Sequence, residues 1–225
     1  MSDETIIQLI RWGELLMQVS ILVPMAVVWK RKKEFPAPVR LLSWYVYLSV
    51  GCVIAAKLAA FYFRNNLLLV PAFNGGKVLL FAAVYTQVLS SGRVRRALLQ
   101  ATVIALLIIV SSIFYNWKIA GNIARMMQCT LLAGFALAYL EQELNNPALR
   151  RGFRDPIWLL SVGQLLYSGG SIVGNLDTLT DKPLNSWVLF SCLIVSGLIF
   201  NYFLTLVFLR AQQYDLATSP LTVSN

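Results

Sequence analysis

The chain has 225 residues, 58% hydrophobic and only 13% charged, with a mean hydropathy of +0.67 and a net charge of +9. A soluble domain carries about 25% charged residues, so this balance excludes an ordinary soluble fold and points to a polytopic membrane protein. Histidine is absent, which removes the commonest metal and haem ligand and the usual general base.

Seven apolar segments follow one another, each about 20 residues, enough to cross roughly 30 Å of hydrocarbon at 1.5 Å per residue. Span 1 covers residues 6–29 and stops at Lys30-Arg31-Lys32-Lys33. It has no basic region before its apolar run and no small-residue cleavage site after it, so it reads as a span and not as a signal peptide. Span 2 covers residues 41–63. Span 3 covers 67–89 and precedes Arg93, Arg95 and Arg96. Span 4 covers 97–117. Span 5 covers 121–140, followed by a polar link (141–155) carrying Arg150, Arg151 and Arg154. Span 6 covers 156–176, and span 7 covers 187–209, ending at Arg210. Residues 1–214 thus form one seven-helix transmembrane domain, and 215–225 read as a short, disordered cytoplasmic tail.

Loop charge sets the orientation. The loops after spans 1, 3 and 5 and the tail hold nearly all the loop Lys and Arg, which predicts the N-terminus outside and the C-terminus in the cytoplasm. Distributed this way, the +9 charge argues against nucleic acid as a partner. Trp29, Trp44, Trp117, Trp158 and Trp187 lie near span ends, as an aromatic belt requires. Connections are short, so neighbouring spans should pack antiparallel. Spans 1–3 and 5–7 share orientation, as in a transporter built from repeats, but their sequences do not repeat, and Pro24 of span 1 has no counterpart in span 5.

Polar residues recur on single helix faces. Span 1 carries Arg11, Glu14 and Gln18, and span 2 carries Lys57 and Arg64. Span 3 carries Asn74, Lys77 and Tyr85; span 5 opens with Asn122, Arg125 and Gln128; span 6 carries Gln164, Tyr167, Ser171 and Asn175. Arg11, Lys57 and Arg125 lie roughly 6–9 Å inside the outer boundary, and Glu14 and Lys77 roughly 12–15 Å inside. Four cations against one acid need compensation from water, lipid headgroups or an anionic ligand. The plainer alternative is that Arg11, Lys57 and Arg125 snorkel to the surface, which leaves Lys77 as the cation too deep to do so. The span 6 stripe also reads as helix–helix hydrogen bonding, and Gly75-Gly76 and the Pro24 kink as packing features.

Catalytic patterns are missing. No Ser–His–Asp or Cys–His set exists without His, and no HExxH, Walker A or GxGxxG pattern occurs. Cys52, Cys129 and Cys192 fall in three different spans and form no CxxC pair, so they read as packing residues, with no metal and no cofactor expected. Glu141 and Glu143 read as a solvated helix end.

Asn122-Ile123-Ala124-Arg125-Met126-Met127-Gln128 resembles the Asn-x-x-Arg-x-x-Glu motif that opens span 5 in a group of short, uncharacterised heptahelical membrane proteins of Bacteroidetes, with Gln128 in the acid's place. Asp155-Pro156-Ile157-Trp158, followed by Gly163 and Leu166-Tyr167, resembles that group's span 6 start. Residues 74–80 resemble its span 3 motif, with Lys77 where a Glu is usual. The resemblance implies a multi-pass protein of the bacterial inner (cytoplasmic) membrane and a sensory or ligand-binding module.

The expectation is therefore an all-α, seven-helix membrane receptor-like sensor and not an enzyme. Arg11, Lys57, Lys77 and Arg125 would hold a small anionic or amphipathic ligand, with Glu14, Asn122, Gln128 and Tyr167 completing the site and a cytoplasmic protein as signalling partner. The alternative is a small-solute transporter or channel using the same interior. A lipid-acting membrane enzyme with Glu14 as base is the third class.

Overall fold

The computed structural model describes residues 3–64, 67–145, 154–175 and 186–218. The described residues form eight α-helices, α1 (Asp3–Ser20), α2 (Leu22–Arg31), α3 (Ala37–Phe63), α4 (Leu69–Val88), α5 (Gly92–Tyr115), α6 (Trp117–Asn145), α7 (Pro156–Gly174) and α8 (Ser186–Thr218). α1 and α2 are one bent span, so the described residues include seven helices long and apolar enough to cross a membrane. The bend follows from Pro24, which has no N–H to offer the carbonyl four residues back and breaks the helix at Ile21.

Helix ends run past the sequence expectation on the side of the basic loops. α6 reaches Asn145 and α8 reaches Thr218, so the first four residues of the expected tail are helical, and 219–225 lie outside the described residues. The extra turn of α6 is fixed by side chains. Gln142 Oε1 accepts from Ser90 N at 2.7 Å and Ser90 Oγ at 2.8 Å, and Gln142 Nε2 donates to Val88 O at 3.3 Å, closing the end of α4. Glu143 is buried and accepts from Tyr139, contrary to the solvated helix end expected of it. The single Tyr139 O–H is shared with Asp155, the closer of the two carboxylates, whose other oxygen caps α7 through Ile157 N at 2.8 Å. Pro156 follows at the first helical position, where its missing N–H costs nothing.

α7 and α8 make the most extensive contact in the bundle. Small residues allow it, since helices in lipid associate by close packing and not by water exclusion. A methyl group added at Gly163 would stand 2.6 Å from Cβ of Phe203, and one at Gly170 would stand 2.5 Å from Cβ of Ser196. α4 lies inside, packed on α3, α5 and α6. Consecutive spans from α3 onward pack on one another, as short connections require. The first pair departs from that rule: α1 packs mainly along α8, and the larger contact with α3 is made by the α2 half. Two residues of α8 draw α1 over. Gly197 faces Met17, and Asn201 Nδ2 donates to Ser20 Oγ at 2.7 Å and to Met17 O at 3.3 Å.

Gly163→Ala should lower stability by about 1–3 kcal/mol, because Phe203 Cβ is fixed to its backbone and the helices must part. Gly169→Ala, one face away with nothing near it, should be neutral or slightly stabilising. Unfolding midpoints in mixed dodecylmaltoside–dodecyl sulfate micelles check both.

Candidate functional site

Lys77 defines the centre of the bundle. It is 1% exposed and stands near the middle of α4. No hydrogen bond and no ion pair reaches it from the described residues. Its Nζ lies instead over four aromatic rings: Tyr167 at 3.9 Å, Phe200 at 4.6 Å, Tyr45 at 5.3 Å and Phe81 at 5.6 Å from the ring centroids. Four different helices meet here, since Tyr45 comes from α3, Phe81 from α4, Tyr167 from α7 and Phe200 from α8. The rings also brace each other, Tyr45 edge-on to Phe81 at 5.4 Å and to Phe200 at 5.8 Å. A lysine at a membrane helix centre costs about 3 kcal/mol on insertion scales. A desolvated cation–π contact returns about 2 kcal/mol, so two close rings suffice to offset it.

Above this box, on the side of the bundle carrying the N-terminus, two cavities adjoin. The larger, about 240 Å³, is walled by Met17, Ile21, Val53, Phe73 and Phe200 among others, with Gln18, Ser49, Tyr167 and Asn201 as its polar contributors. The smaller, about 200 Å³, has Asn74 and Arg125 in its wall. Met17, Cys52, Ala56, Phe73 and Tyr167 line both, so the two share a wall. Arg125 donates to Asn175 Oδ1 at 2.9 Å, joining α6 to the C-terminal end of α7. This is its one hydrogen bond to a described residue, which leaves four of its five N–H donors without a partner among the described residues. Among the described residues no carboxylate lines either cavity.

The residues singled out from sequence divide into three groups. Arg125 and Tyr167 line the cavity. Lys77 does not, because rings that line the cavity also face its ammonium. Gln128 is fully buried, and its Nε2 has no partner among the described residues. Half-buried Asn122 lines neither cavity. Arg11, Glu14 and Lys57 are exposed on the outer faces of α1 and α3, so the five ionisable groups do not converge on one point. Glu14 accepts from Gln18 Nε2 at 3.1 Å, which leads the α1 stripe down to the cavity wall. Sequence reasoning passed over Tyr45, Phe200 and Asn201. Phe81, one turn from Lys77 on the same face, was legible from spacing alone, as was the lone Asn201 in an apolar span.

No protein-family model matches the chain, and no curated protein and no solved structure matches it either. The fold and the cavity define it as a seven-helix integral membrane protein with an internal, cation-bordered pocket.

Tyr167→Leu should cost about 2 kcal/mol, and the same change in a Lys77→Met background clearly less. A double-mutant cycle of unfolding free energies should give a coupling of about 1–2 kcal/mol. A coupling near zero would remove the cation–π account of how Lys77 is held.

Proposed function

We propose that the protein is a receptor-like sensor of a bacterial inner membrane, N-terminus outside and C-terminus cytoplasmic, that binds a small anionic or amphipathic ligand in its outer half. The observation that carries this reading is Arg125, set in a mostly apolar cavity wall and held, among the described residues, by a single neutral acceptor. A ligand carboxylate or phosphate can take guanidinium donors that no described residue uses, bidentately and with charge on both partners. Binding therefore sets the ligand beside Asn175 and bears on the end of α7. The other end of α7 is tied to α6 through Asp155 and Tyr139, beside the basic loops. Movement of α7 thus reaches the face where a cytoplasmic partner would dock. Loop charge supports the orientation, and the likeness of residues 122–128 to a Bacteroidetes motif supports the bacterial membrane.

A transporter or channel would use the same interior. Against it, Tyr45, Phe81 and Phe200 pack together at the floor of the cavity, and Phe35 stacks on Phe208 at 5.5 Å towards the basic loops. Flux of a bound solute in proteoliposomes would favour that reading; a sensor shows none.

Native mass spectrometry on gently extracted wild type should show a retained anionic small molecule that is lost, at least tenfold, in Arg125→Ala. An empty wild type, or an adduct indifferent to Arg125→Ala, overturns the proposal.

A further inference from the structure

We infer that the ligand is a single-chain amphiphile with an anionic head, drawn from the bilayer itself through a gap between α1 and α3. The inference rests on the ligand-binding reading above and adds the class of ligand and its route.

The gap follows from how the first span packs. α1 leans on α8, where Gly197 and Asn201 hold Met17 and Ser20, and it has no packed interface with α3. Yet both helices wall the larger cavity, α1 with Met17 and Gln18, α3 with Cys52, Val53 and Ala56. These five residues are half-buried. A cavity bounded by two helices without an extensive interface opens sideways, towards acyl chains. On the side of the basic loops it is closed, because Pro24 and Val28 of α2 are buried and Phe35 packs on Phe208.

The chemistry of the walls orders the ligand. The larger cavity is apolar apart from a few neutral groups, and suits a hydrocarbon chain. The smaller one ends at Arg125 and Asn74, and suits an anionic head. At about 240 and 200 Å³, the two together fall in the lower part of the range for small-ligand pockets, roughly 300–1,000 Å³. That holds one chain and not a two-chain phospholipid. The mouth carries matching charge. Lys57 follows Ala56 on α3, and Arg11 stands two turns from Gln18 on the α1 stripe, both exposed. Exposed cations beside a lateral opening attract an anionic head along the membrane surface. Arg11 and Lys57 thus gain a role at the mouth, outside the pocket.

The test uses full-length protein in phosphatidylcholine nanodiscs, titrated with dodecanoate and separately with benzoate, with bound adduct counted by native mass spectrometry. Dodecanoate should bind at least tenfold more tightly than benzoate and lose at least tenfold in Arg125→Ala. Ala56→Trp, which fills the gap from α3, should reduce its binding at least tenfold; Val53→Phe on the same wall serves if the tryptophan variant does not fold. The pair Arg11→Gln with Lys57→Gln should weaken capture several-fold. Benzoate bound as tightly as dodecanoate, and lost in Arg125→Ala, overturns the lipid ligand while leaving the sensor reading in place. Dodecanoate unaffected by either gap-filling variant overturns lateral entry. Binding of neither probe overturns both readings.

Discussion

The structure turns on one constraint: an ammonium held in the middle of a membrane bundle without an acid to pair it. Lys77 has neither carboxylate nor hydrogen-bond acceptor among the described residues. What holds it is π-electron density from rings on four helices. Such a box tolerates little displacement, because the attraction is lost beyond about 6 Å from a ring centroid. Each helix that supplies a ring is therefore fixed in depth and rotation by the same cation.

The remaining packing serves that alignment. Gly163 and Gly170 bring α7 against α8 closely enough for Tyr167 and Phe200 to stand 5.3 Å apart. Gln142 closes the end of α4, and Tyr85 meets Ser161 across the α4–α7 contact at 3.0 Å, so Lys77 cannot slide along the bundle. The rings that contain the ammonium on one side form the cavity wall on the other. Structural core and candidate site share Tyr45, Tyr167 and Phe200, so a change in the contents of the cavity bears directly on what stabilises the bundle.

Much of this was legible in the chain. Seven spans, the kink at Pro24 and the mid-span position of Lys77 follow from hydropathy and helical rise. Arg125 and Tyr167, which line the cavity, stood out because a polar stripe on an apolar helix has few other uses. The convergence of Arg11, Glu14, Lys57, Lys77 and Arg125 was not realised. Depth along the membrane normal is encoded by position in a span, but direction around each helix depends on which neighbour it packs against. Arg11 and Lys57 share a depth with Arg125 and face away from it, since α1 chose α8 as its neighbour instead of α3.

By itself, then, the sequence determined the class of fold and the position of each charged group along its span, because both follow from local composition and a rise of 1.5 Å per residue. Only the tertiary structure decided that Lys77 is boxed by aromatic rings, that Arg125 meets Asn175 fifty residues away, and that α1 stands apart from α3. Those outcomes depend on the shapes of distant helix faces, above all on small residues at Gly163, Gly170 and Gly197, and a close approach between two surfaces is a property of the pair that neither segment carries alone.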